Sequence, residues 1–224
     1  MAGTLDYYDG NSEEYSEQTL HADVSEARSR FLELIPKGGT ILDLGCGSGR
    51  DTAYFLGSGY DATPVDGSSG MCRVAERNVG VRVRNIRFSQ LDYREEFDGV
   101  WACSSLLHLP SDELPGILAL IRRSLKEGGI LYASFRLGDY EGLRGCRHYT
   151  DLTPESMTAV FEKAGFGTAA VWTNLEEGRG ILWCNGLFKK SGFRQEGRRC
   201  RHYNIGNAIQ FHRWMSHPIV RGHL

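Results

Sequence analysis

The stretch at residues 41–51, ILDLGCGSGRD, places Gly45, Gly47 and Gly49 at alternate positions directly after an apolar run interrupted by Asp43. A strand that ends in such a turn and then opens a helix brings backbone N–H groups close to a small molecule and clears side chains from its path. A second acid, Asp66, ends the next apolar run, where dinucleotide folds place the carboxylate that accepts from ribose hydroxyls. The nicotinamide and flavin fingerprint G-x-G-x-x-G is matched only at its first two glycines, because Arg50 holds the third position. Gly49 one residue early, and Asp43 two residues ahead of the loop, suit instead a ligand without phosphates whose amino group Asp43 holds.

The elements that position these residues follow from periodicity. Leu20, Val24, Ala27, Phe31 and Leu34 recur at helical spacing, predicting a helix that stops near Pro36, with loop before Ser12. TILDLG reads as a buried strand, the turn opens a helix through RDTAYFLGSG, YDATPVD is a second strand, and a helix covers Ser69 to Asn78. Pro64 removes a ladder donor and predicts an irregularity just before Asp66. VRVRNIRFSQ and FDGVWACSS read as strands, followed by a helix with Leu114, Ile117, Leu118, Ile121 and Leu125 on one face, and by the strand ILYASFR. Thr153 and Pro154 cap and open a helix that carries Met157, Val160, Phe161 and Ala164 inward. GTAAVWTN and ILWCNGLFKK, with no helix between them, predict a closing antiparallel hairpin. The fold class is therefore α/β: a Rossmann-like, doubly wound, seven-stranded sheet, mostly parallel with an antiparallel C-terminal hairpin.

A chain of 224 residues with 41% hydrophobic and 24% charged residues fits one domain with a sizeable core. Residues 1–190 are assigned to it, with 1–36 as an N-terminal cap segment and helix, and 191–224 as a basic, His- and Arg-rich tail. A formal charge of -2 argues against a surface built for nucleic acid. Arg194, Arg198, Arg199 and Arg201, interleaved with Phe193 and Tyr203, leave nucleic-acid binding by the tail open as a minor reading. Six scattered cysteines form neither a disulfide framework nor a zinc spacing, and there is no secretory signal or membrane-length apolar run, so a cytoplasmic protein without a metal is expected.

Residues 41–51 resemble the first motif of the class I S-adenosylmethionine-dependent methyltransferases, and the order of elements extends the similarity over residues 1–190. The chain most resembles the small-molecule branch typified by ubiquinone-biosynthesis and tellurite-resistance methyltransferases. The resemblance implies S-adenosylmethionine as cofactor and S-adenosylhomocysteine as product. Asp43 and the backbone of Gly45, Cys46, Gly47 and Gly49 would cradle the methionine part, with Arg50 near its carboxylate. Asp66 would take the ribose, and Gly67, Ser68 and Met71 would border the adenine. Asp92, flanked by Leu91 and Tyr93, resembles the acid that reads the adenine amino group. Cys103 and Ser104 would face the transferable methyl, and Tyr15, with Tyr7 and Tyr8, would fold over the cofactor.

The expected activity is in-line methyl transfer to a small-molecule nucleophile, by a monomer or homodimer. His108 is the first candidate for a general base and His148 the second, against the structural reading that His108 fixes its own loop. Arg136, Arg147, His148 and Tyr149 fall in the long polar segment 136–150, read either as an acceptor pocket or as a solvated loop. The competing functions are a non-catalytic S-adenosylmethionine or nucleoside-binding protein and an NAD(P)-dependent oxidoreductase.

Overall fold

The computed structural model describes residues 3–191; the basic tail expected at 191–224 therefore lies, beyond its first residue, outside the described residues. The chain begins with three short helices, α1 (Thr4–Gly10), α2 (Ser12–Thr19) and α3 (Ser25–Leu32). The loop expected before Ser12 is thus a helix. It starts where the Asp6 carboxylate accepts from Gly3 N–H at 2.7 Å, satisfying one of the free donors of a first turn. The single helix expected from Leu20 to Leu34 begins only at Ser25, because the Asp23 carboxylate accepts from Ser25 N–H at 2.8 Å and turns the chain there.

The alternating part follows as β1 (Thr40–Leu44), α4 (Arg50–Gly57), β2 (Asp61–Asp66), α5 (Ser69–Val79), β3 (Arg84–Asn85), β4 (Phe97–Ala102), α6 (Leu114–Ser124) and β5 (Leu125–Arg136). A hairpin of β6 (Glu141–Arg144) and β7 (Arg147–Thr150) comes next, then α7 (Pro154–Lys163), β8 (Phe166–Glu176) and β9 (Ile181–Lys190). The main sheet runs β3-β2-β1-β4-β5-β9-β8, parallel through β5 and antiparallel from β9 onward. Strand order reverses between β1 and β4, and the crevice at their carboxyl ends is where such sheets bind ligands.

Alternate residues of the central strands feed two cores, as the pleat requires. Leu42, Val100 and Leu131 point into the layer beneath α6 and α7, while Ile41, Trp101 and Tyr132 point toward Phe31 of α3 and Phe55 of α4. Trp101 and Tyr132 stack at 4.0 Å between ring centres. Gly99 lets α3 approach: a Cβ there would lie 2.5 Å from Phe31 Cζ.

Three local expectations change. The alternating run from 81 to 90 contributes only Arg84 and Asn85 to the sheet, at its edge beside β2, and then tightens into a 3-10 turn over Phe88–Gln90. The Gln90 side chain accepts from Arg87 N–H at 2.8 Å and closes that turn. Pro64 causes no register shift, since Asp43 pairs with Pro64 and Leu44 with Val65 in an unbroken parallel ladder. Within the segment 136–150, residues 141–150 form an antiparallel hairpin of their own.

Candidate functional site

A cavity of about 930 Å³ opens at the carboxyl ends of β1, β2, β4 and β5, beneath the N-terminal helices. Its floor is the glycine loop. Gly45 and Cys46 N–H both donate to the Val65 carbonyl, at 2.9 and 3.0 Å, which pins the loop to β2. All three glycines have positive φ, at 78°, 55° and 81°. A Cβ on Gly45 would lie 2.5 Å from Ser105 Cβ, and one on Gly49 would lie 2.4 Å from Val79 Cγ2. Packing of β4's exit and of α5 therefore requires those two glycines. Gly47 is different: its nearest neighbour would be Met71 Cε at 3.9 Å, and it faces the cavity.

Asp66 ties this loop to the next element. Its carboxylate accepts from Gly47 N–H at 3.0 Å and from Ser68 N–H at 2.8 Å. Burial still raises its pKa. Asp43 is almost fully enclosed and accepts from Thr52 Oγ1 at 2.5 Å; burial, and then the neighbouring Asp51 charge, push it up to about 7. Asp51 is engaged by the Arg50 guanidinium at 2.7 Å, Arg28 at 3.6 Å and Trp101 Nε1 at 2.9 Å. The Arg50 fork is thus committed to Asp51 and to the Thr19 carbonyl at 3.2 Å. Asp43, buried, and Asp66, half-buried, both have their charged forms disfavoured on this cavity wall, and a cationic guest would offset that.

The N-terminal helices close the site over α5. Asp9 accepts from Gly70 N–H at 2.9 Å, Ser68 Oγ at 2.7 Å and Ser69 Oγ at 3.2 Å, supplying a carboxylate to the start of α5. Leu5 rests on Gly67, where a Cβ would come within 3.0 Å of it. Tyr8 and Tyr15 meet edge to face at 4.9 Å and both reach the cavity.

His108 ends a 3-10 turn after β4 and is held at both ring nitrogens. Nδ1 lies 2.7 Å from the His148 carbonyl, so it carries the proton, and Nε2 accepts from the Tyr8 hydroxyl at 2.8 Å. Burial pushes its pKa down to about 4. Ser104, two residues beyond β4, sits at φ 53° with its N–H donating to Ser134 Oγ at 2.8 Å. Such a conformation costs a non-glycine residue about 1 kcal/mol or more and concentrates at ligand sites.

Of the residues singled out in the sequence, Tyr15, Asp43, Gly45, Cys46, Gly47, Arg50, Asp66, Gly67, Met71, Cys103, Ser104 and His108 line one cavity. Gly49 packs against Val79 and Ser68 is the N-cap of α5. Leu91 and Tyr93 are core residues, and Asp92 is an exposed side chain facing Arg84 at 3.3 Å. His148 lies outside the wall, its ring 3.2 Å from Thr150 Oγ1, and it contributes its carbonyl to His108. Phe88 and Ser89 stand on the same wall, where a Cβ on Gly45 would lie 3.6 Å from Phe88 Cζ. They escaped the sequence reading because their 3-10 turn was taken as strand. Ser134 and Asp9 gave no local signal, since only the sheet and the docking of α1 bring them to the site.

Residues 41–129 match the family described as "Methyltransferase domain". Over those residues the chain is similar to a methyltransferase domain. The chain is 31% identical over 144 residues to the putative methyltransferase YqeM of Bacillus subtilis, covering 59% of this chain and 58% of that one. It is 26% identical over 192 residues to the ubiquinone biosynthesis O-methyltransferase of Xanthomonas axonopodis pv. citri, covering 75% and 76%. The chain spans less than two thirds of the length of several curated relatives that it matches. Among solved structures, the 1,6-didemethyltoxoflavin-N1-methyltransferase of Burkholderia thailandensis, with S-adenosylhomocysteine bound, superposes with a TM-score of 0.65. It is 24% identical and the match covers 86% of this chain and 92% of that one. The chain shares its fold with solved S-adenosylmethionine-dependent methyltransferases. Among the described residues no helix is long and apolar enough to cross a membrane, and no group of His, Cys, Asp and Glu side chains gathers as a metal site.

Proposed function

We propose that the protein is an S-adenosylmethionine-dependent methyltransferase acting on a small molecule in the cytoplasm. The observation that carries this reading is the pair of carboxylates, buried Asp43 and half-buried Asp66, on the wall of a cavity floored by Gly47. An amino acid ammonium would compensate Asp43. The ribose hydroxyls of a nucleoside would donate to the lone pairs of Asp66 that the Gly47 and Ser68 amides leave free. Phe88, Met71 and Gly67 offer an apolar slot for a base, in place of the role first given to Asp92. The Arg50–Asp51 pair, filling the third-glycine position, argues against a dinucleotide pyrophosphate there.

S-adenosylmethionine supplies a methyl group already bonded to a sulfonium leaving group. The chain's task is then to hold two reactants in line and keep water out. Cys103, Ser104 and Ser134 border the passage from the loop toward Tyr8, Tyr149 and His108. His108 can take a proton only through Tyr8, whose hydroxyl hydrogen already points at Nε2. A group held neutral down to about pH 4 is a weak base, so this site favours acceptors that need little deprotonation.

Calorimetric titration of the protein with S-adenosylmethionine, S-adenosylhomocysteine and NADH tests the reading. Binding of the first two alone is expected. Binding of NADH alone, or of none, would overturn it.

A further inference from the structure

Three arginines surround one buried ring in the half of the cavity away from the glycine loop. The guanidinium carbons of Arg136, Arg144 and Arg147 lie 4.7, 5.2 and 5.4 Å from the centre of the Tyr149 ring. Arg144 is neutralised, its two outer nitrogens meeting the Asp151 carboxylate at 2.8 and 2.5 Å. Arg136 and Arg147 both line the cavity, and neither forms an ion pair among the described residues. Arg136 Nε is buried with no hydrogen-bond partner among those residues. The polar side-chain contact of Arg147 is the Tyr8 hydroxyl at 3.3 Å, and it lies over the Tyr7 ring at 4.4 Å.

Aromatic faces offset part of the cost of withdrawing a guanidinium from water, but they leave its charge and most of its donors unmet. Two such forks beside a single ring favour an anionic guest, and a carboxylate accepts from a guanidinium through two parallel hydrogen bonds. The pair is also arranged to work with the N-terminal cap. Thr4 Oγ1 accepts from His148 N–H at 3.0 Å, so α1 is bonded to the strand that carries Arg147. Docking of α1 therefore completes the wall on which the anion would sit. A carboxylate here would further relieve His108, against which both arginine charges work once burial has acted.

We propose that the methyl acceptor is a small carboxylic acid, its carboxylate seated by Arg136 and Arg147 beside the Tyr149 ring. This rests on the methyltransferase reading of the same cavity. Neutral small molecules, which could occupy an apolar slot equally well, would leave both forks unpaired and bind poorly.

The test titrates benzoate, fumarate and citrate into the whole protein, with and without saturating S-adenosylhomocysteine, beside benzamide, fumaramide and methyl phosphate. At least one acid is expected to bind at millimolar concentration or tighter, with its amide weaker by on the order of tenfold or more. Arg136→Gln and Arg147→Gln should each weaken the acid on the order of tenfold, with S-adenosylhomocysteine affinity within about twofold of the parent. Arg147→Lys, which keeps the charge, should recover part of the loss and shows that the Gln variant failed by charge rather than by misfolding. Equal binding of acids and amides overturns the proposal, as does binding of methyl phosphate alone, binding of no acid, or acid binding indifferent to both arginines. Failure of S-adenosylhomocysteine to bind overturns the cofactor reading instead, and the arm without it still decides whether the arginines hold acids.

Discussion

Replacing Asp43 with asparagine should make the empty protein more stable at neutral pH while weakening its hold on the cofactor. The Asp43 carboxyl, with an ordinary value of 3.8, is pushed up to about 7 by burial and then by the Asp51 charge, with Asp66 adding to this and Thr52 and Arg50 opposing it. Between about pH 4 and 7 the folded chain therefore binds a proton here that the unfolded chain does not, so this group's contribution to stability falls as pH rises through that window. About three pKa units at 1.36 kcal/mol each put the cost above pH 7 on the order of 4 kcal/mol. Asparagine keeps an acceptor for Thr52 and carries no charge. Its advantage in urea unfolding should approach that figure at pH 8 and vanish near pH 4. A cofactor ammonium has the opposite preference, since it holds Asp43 ionised. Binding of S-adenosylhomocysteine to the parent should then weaken by up to about tenfold for each pH unit below 7. Asp43→Asn should bind more weakly at pH 8 and show little of this slope. Parent affinity that is flat from pH 5.5 to 8, or a stability difference that does not change with pH, would refute the reasoning.

His108 titrates in the other sense: its pKa falls from 6.5 to about 4, so the parent should lose about 3 kcal/mol as pH drops through that interval. Unfolding of His108→Gln across the same range should lack that loss, and an identical profile would mean the ring is not held neutral. Gly49→Ala, with φ at 81° and a Cβ that would sit 2.4 Å from Val79 Cγ2, should cost about 2–4 kcal/mol in urea unfolding. Asp9→Ala removes the acceptor for Gly70 N–H and two serine hydroxyls, so hydrogen exchange across α1 and α2 should quicken with the sheet unaffected. Uniform exchange changes would show that the cap is not a separate unit. Tyr8→Phe cuts the path to His108 Nε2 and should lower the rate of methyl transfer by less than tenfold, because a group held neutral down to about pH 4 is a weak base.

The sequence made much of this molecule legible through local rules. Alternation at Ile41 and Leu42, the glycine turn after β1, and the Thr153-Pro154 start of α7 each declare an element without reference to any other. The same rules misread 81–90, because apolar alternation records which side chains are sheltered and not whether a neighbouring strand is there to pair with them. Beyond Asn85 the β2–β3 pairing ends, and the chain takes up a 3-10 turn. The loop reading of the first residues failed for a related reason. α1 has little amphipathic signal of its own and gains its place from Leu5 on Gly67 and Asp9 on the start of α5.

Strand, turn and helix signals are carried by near neighbours in the chain, so the scaffold and the position of the glycine loop within it were legible from local order alone. Assembly of the sheet decided what each of these side chains touches. Gly45 and Gly49 proved to make room for Ser105 and Val79, and Arg50 proved to be committed to Asp51. Arg136 and Arg147 proved to share a ring while Arg144 alone gained a carboxylate. Those distinctions depend on distances between residues far apart in the chain, and on how deeply each charge is buried. Neither quantity is written in the order of the residues until the sheet is assembled.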